Sequence, residues 1–102
     1  MGSFVRVAGR DEVSLGNANQ VTAGGKKIAV FNVDGEFFAI DGTCTHKGGP
    51  LSEGDIHGEE VTCPWHGAVF NIKTGEVKSG PAPAGVARYN VRLAAQDIEV
   101  EV

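Results

Sequence analysis

Two short stretches of this chain set a thiol close to an imidazole: Cys44 and His46 in TCTHKGGP, and Cys63 and His66 in CPWHGAVF. A site drawing on both stretches has two soft thiolates and two neutral ring nitrogens. That donor set suits zinc or a mixed iron–sulfur centre. One such pair alone reads as coincidence. Two pairs, both on Gly/Pro-rich turns and using all but one of the chain's three histidines, argue for a shared site. His57, in DIHGEE, stands outside the pattern and reads as a solvent-facing loop residue. Structural zinc sites commonly take like ligands from each half, as cysteine knuckles or histidine pairs. Here each half is mixed, and Cys-x-His is tight for two ligands on one tetrahedral ion. A two-iron cluster relieves this, because the cysteines can bind one iron and the histidines the other.

The elements that must position these residues are short strands. FVRV (Phe4 to Val7) alternates, and RDEVSLG (Arg10 to Gly16) suggests one helical turn or a loop. KIAVFNV (Lys27 to Val33) and EFFAI (Glu36 to Ile40) flank Asp34-Gly35, the strongest short-range hairpin signal in the chain. EEVTC (Glu59 to Cys63), AVFNI (Ala68 to Ile72) and EVKS (Glu76 to Ser79) follow, with a turn over Lys73-Thr74-Gly75. ARYNVRL (Ala87 to Leu93) and DIEVEV (Asp97 to Val102) alternate cleanly and are expected to pair. No 3.6-residue apolar period is sustained, so the fold class is all-β, a compact sandwich or barrel. Thr43 to Pro50 and Gly80 to Gly85 do not behave as strands. The section from Cys44 to Ile72 therefore looks like a loop-bearing insert on the sheet.

At 102 residues the chain is read as a single domain, 1–102, without repeats. The hydrophobic content of 41% is ordinary for a globule, and the 15 glycines fall between apolar stretches as in a loop-rich β protein. A net charge of −4 with interspersed signs and no basic cluster argues against nucleic-acid binding. No apolar run approaches the ~20 residues of a membrane helix. MGSFVRV enters a strand-like pattern at once, without a secretory leader, and Arg6 breaks the myristoylation pattern. A cytoplasmic protein is expected, in which two cysteines point to metal rather than to a disulfide.

CTHKGG with CPWHG resembles the binding motif of the Rieske family, Cys-x-His followed by Cys-x-x-His, which holds a 2Fe–2S cluster. GPAP (Gly80 to Pro83) is similar to the proline loop that covers the cluster in that family, and the likeness spans essentially the whole chain. The resemblance implies that Cys44 and Cys63 hold the inner iron and that His46 and His66 hold the outer one, near the surface. It also implies an all-β base with a loop-rich cluster-binding subdomain at approximately residues 43–72 and a proline loop at 80–85. Lys47, Gly48, Gly49, Pro50, Trp65 and Gly67 are expected around the cluster and its docking tip. Pro81 and Pro83 then serve as rigid turn residues shielding it.

Rieske proteins of respiratory and photosynthetic complexes look like CTHLGC with CPCHGSxY, and their two extra cysteines form a disulfide. Those positions are here Gly49 and Trp65, with apolar packing expected of Trp65 ahead of the alternative, an exposed contact. The family's sulfur-directed serine and tyrosine correspond to Ala68 and Phe70, whose side chains cannot donate. Fewer donors to sulfur mean a lower potential, toward the bottom of the range of about −150 to +300 mV for such centres. The chain most resembles soluble low-potential Rieske ferredoxins. This implies a monomeric one-electron carrier between an NAD(P)H-dependent flavoprotein reductase and a terminal aromatic-ring oxygenase, and not an enzyme. The alternatives are a small Rieske-like subunit of an assimilatory nitrite reductase and a zinc-stabilised interaction module.

Overall fold

The run KKIAVFNV forms the strand around which the rest is laid. In the computed structural model, which describes residues 3–43, 49–65, 67–79 and 85–102, strand β3 (Lys26–Val33) is buried at every position from Ile28 onward. Side chains alternate across a strand. Ala29, Phe31 and Val33 therefore enter one core cluster, and Ile28 and Val30 enter another. A strand buried on both faces reads as a continuous apolar run, and this one is the middle of three layers.

The first layer is a sheet of β1 (Phe4–Gly9), β11 (Asp97–Glu101) and β10 (Val91–Ala94) in the order β1-β11-β10. The middle sheet is β2 (Ala18–Ala23), β3, β4 (Glu36–Asp41) and β9 (Arg88–Tyr89). The third is β5 (Asp55–His57), β6 (Glu60–Thr62), β7 (Val69–Asn71) and β8 (Val77–Ser79) in chain order. Every paired neighbour runs antiparallel. The only other regular elements among the described residues are 3-10 turns at Arg10–Glu12 and Leu51–Glu53. The fold is thus all-β, a sandwich of open sheets rather than a closed barrel. Ala8, Ile98 and Val100 of the first sheet pack with Ile28, Val30 and Ala39 of the middle one. On the opposite face, Phe31 and Ile40 share a core cluster with Val61 and Phe70 of the third sheet, with Ile72 just after β7, and with Leu51.

The expected hairpin is present. β3 and β4 pair in register from Val33↔Glu36 to Ile28↔Asp41, and Asp34 and Gly35 take φ 54° and 91°, as a two-residue primed turn requires. The Asn32 side chain braces it, accepting from the Gly35 N–H and donating to the Val13 carbonyl, both at 2.9 Å.

Two local readings are corrected. ARYNVRL is not one strand: β9 pairs with β4 in the middle sheet, the chain breaks at Asn90, and β10 pairs with β11 in the first sheet. Alternation continued through the break, so period alone hid the change of sheet. His57 is exposed as expected, but it lies on β5 opposite Glu60 rather than in a loop. Strand β2, ANQVTA, has too few apolar residues to register as a strand in the sequence.

Asp41, the last residue of β4, ties down the segment that contains β9. It accepts from the Ala87 N–H at 3.1 Å and from the Tyr89 hydroxyl at 2.6 Å. Partial burial, then the hydrogen bond to Asp41 and its negative charge, push Tyr89 up from 10.0 to about 12. A raised folded-state value means that the contribution to stability is complete below pH ~10 and is lost as pH climbs toward 12. Tyr89 is the single tyrosine. Tyrosinate absorbance is therefore expected to rise with a midpoint near 12, and a midpoint near 10 would show that the Asp41 clamp does not hold.

Candidate metal centre

Cys63 directly follows β6, which pairs with β7 through Val61↔Phe70 and Thr62↔Val69. The Cys63 N–H donates to the Ala68 carbonyl at 2.7 Å and closes the base of the connecting loop. Pro64 needs no N–H partner within that loop. Gly67 takes φ 76°, a left-handed value suited to glycine. Cys63 is only 2% exposed and shares the inner core cluster with Leu51, Val61, Ala68 and Phe70. Its Sγ accepts the Trp65 N–H at 3.4 Å.

The arm carrying the first half of the motif is anchored at both ends. Thr43 and Pro50 form an isolated antiparallel bridge, and the Leu51 N–H donates to the Gly42 carbonyl at 3.0 Å. The chain therefore leaves and rejoins the sheet at neighbouring points. On its return, Gly49 lies against Cys63. A Cβ on Gly49 would stand 2.7 Å from Cys63 Sγ and 3.1 Å from Trp65 Cγ, closer than real side chains approach. Only a residue without Cβ fits without displacing the sulfur.

The roots of the proline-rich segment are fixed as well. Ser79 of β8 faces Val69, and the Val86 N–H donates to the Gly75 carbonyl at 2.7 Å. The Asp41 clamp then holds Ala87 and Tyr89. That clamp escaped the sequence reading, because its partners lie 46 and 48 residues apart and no local pattern links them.

Of the residues singled out from sequence, the structure brings Gly49, Cys63 and Trp65 together, with Pro50 and Gly67 on the flanking turns. Cys44, His46, Lys47, Gly48, His66, Pro81 and Pro83 lie outside the described residues. Trp65 shows both packing and exposure. Its side chain packs beside Gly49, but the residue is 49% exposed, so it presents an aromatic surface next to the buried sulfur. Ala68 and Phe70 are fully buried and have no side-chain donor to offer.

The Rieske [2Fe-2S] domain family matches residues 3–90. The chain is 41% identical over 100 residues to the biphenyl dioxygenase ferredoxin subunit of Pseudomonas sp. (strain KKS102), covering 97% of this chain and 92% of that one. Its fold superposes on the ferredoxin of carbazole 1,9a-dioxygenase from Nocardioides aromaticivorans IC177 with a TM-score of 0.90 at 29% identity, covering 96% of each chain. A chain from the complex of reduced oxygenase and oxidized ferredoxin in carbazole 1,9a-dioxygenase matches with a TM-score of 0.89 at 30% identity, over 96% of this chain and 92% of that one.

The chain belongs to the Rieske [2Fe-2S] family, and it carries a 2Fe–2S cluster of the Rieske type. Family membership replaces the zinc alternative. The described half of the site fits the cluster. A buried sulfur sits at a strand end, a backbone N–H points at it, and the facing backbone has no Cβ to crowd it.

Leu51 is fully buried just after the Thr43–Pro50 arm. Replacing it with alanine is expected to cost about 2–5 kcal/mol in denaturant unfolding. A loss below about 1 kcal/mol would mean that the arm does not depend on this packing.

Proposed function

We propose that this chain is a one-electron carrier that takes electrons from an NAD(P)H-dependent flavoprotein reductase and delivers them to a terminal aromatic-ring oxygenase. The observation that carries this reading is the match to the biphenyl dioxygenase ferredoxin subunit, which is nearly end to end for both chains. The site's geometry agrees with it. The buried Cys63 sulfur accepts the backbone N–H of the exposed Trp65, two residues on. Relatives named as ferredoxin components of dioxygenase systems favour this reading over the nitrite reductase subunit.

In this reading Cys44 and Cys63 ligate one iron, and His46 and His66 ligate the other, within a subdomain of approximately residues 43–72 that the proline loop at 80–85 covers. When bound, the cluster supplies reversible one-electron chemistry. The chain's own residues set the potential. Reduction adds one negative charge, and each donor aimed at sulfur stabilises that charge. The Trp65 N–H is such a donor, whereas Ala68 and Phe70 supply none from their side chains. The potential therefore belongs low in the Rieske range. The carrier is further proposed to act as a monomer in the cytoplasm. No helix of the described residues is long and apolar enough to cross a membrane.

Reconstitution with a flavoprotein reductase and an aromatic-ring oxygenase is the test, with product formation expected to depend on this protein. Oxygenase turnover at the same rate without it would overturn the carrier role. Ala68→Ser is expected to raise the potential by about 60 mV, the equivalent of a tenfold change for one electron. An unchanged value in film voltammetry would remove Ala68 from the explanation.

A further inference from the structure

The contact between Trp65 and Gly49 has consequences beyond packing. Two features converge on Cys63 Sγ, the Trp65 N–H at 3.4 Å and the bare Cα of Gly49, and the Cβ–Cγ stem of Trp65 lies against that same Gly49. A Cβ built on Gly49 would lie 3.2 Å from Trp65 Cβ and 3.1 Å from Trp65 Cγ, so the two loops touch at this point. Gly49 belongs to the arm closed by the Thr43–Pro50 bridge, and Trp65 to the loop closed by the Cys63–Ala68 hydrogen bond. Both bases are fixed, and the described contact between the loops is that of the Gly49 backbone with the Trp65 side chain. Pro64 restrains the peptide that carries the Trp65 N–H, but the direction of that N–H also depends on where the indole rests.

We propose that Trp65 is a positioning residue whose side chain, seated on Gly49, clasps the two loops together and holds the Trp65 N–H on Cys63 Sγ. This rests on the reading of Cys63 as a cluster ligand. Trp65 is 49% exposed, an unfavourable place for a large aromatic residue unless its covered part has a task. Because a hydrogen bond to a sulfur ligand stabilises the reduced state, the clasp acts on the potential as well as on loop stability. Gly49 is the other half of the device. Any side chain there must push on the sulfur, the indole stem or both.

Three variants of the cluster-loaded protein test this in film voltammetry. Trp65→Ala is expected to make reduction about tenfold less favourable, a downward shift of about 59 mV for one electron. Trp65→Phe keeps the Cβ–Cγ stem and is expected to stay within twofold of the parent. Gly49→Ala wedges the clasp from the other side and is expected to shift the potential in the same direction as Trp65→Ala. If Trp65→Ala does not load, Gly49→Ala carries the test together with acrylamide quenching of Trp65, the chain's single tryptophan. Quenching is expected to become steeper. A potential that is unchanged or raised in Trp65→Ala or Gly49→Ala, a failure of Phe to restore it, or unaltered quenching overturns the inference. Cys63→Ala separates the two levels. A full cluster in that variant would overturn the ligand reading and the clasp with it, whereas a loaded Trp65→Ala at the parent potential overturns the clasp alone.

Discussion

In the proposed ligand set, a sulfur that must bear negative charge lies against an apolar core. Cys63 is buried in the same cluster as Leu51, Val61, Ala68 and Phe70, and burial by itself disfavours charge on a thiol. The proposed coordination by iron would remove the conflict, since a thiolate bound to iron shares its charge with the metal. The rest of the structure follows from holding that sulfur at the edge of the core. β6 and β7 end beside it, the Cys63 N–H is tied to Ala68, and the opposing arm gives up its Cβ at Gly49 to approach it.

The layering explains how so small a chain supports such a site. β3 is buried on both faces, so one strand serves two cores. The outer core welds the first sheet to the middle one and is remote from the chemistry. The inner core joins the middle sheet to the β5–β8 sheet, whose hairpin ends in Cys63. Asp41 extends this frame by gripping Ala87 and Tyr89, so the strand entering the first loop is tied to the one leaving the proline-rich segment. Rigid sheets position the loops, and the loops carry the ligand-bearing motifs.

Much of this was legible in the sequence, for identifiable reasons. Asp34-Gly35 between two β-rich runs dictated the β3–β4 hairpin, because the positive φ values it needs are cheap for those residues. The paired Cys/His spacing pointed to the family that the comparisons then gave. Strand β2 was not legible, since Asn19, Gln20 and Thr22 dilute its apolar signal. Nor was the switch of sheets at Asn90, where alternation runs on unbroken while the partner changes. For Trp65 the sequence left packing and an exposed contact both open. What decides its place is the contact with Gly49, which no local pattern announces.

The central claim is a cluster of unlike ends, with sulfur from Cys44 and Cys63 and nitrogen from His46 and His66. Pulsed electron paramagnetic resonance of the dithionite-reduced protein tests it most directly, because couplings from directly bound nitrogen are read without reference to any partner. Two strongly coupled histidine nitrogens are expected, one of them lost on replacing His66. A reduced cluster without strong nitrogen coupling, or one unaltered by loss of His66, would contradict the account.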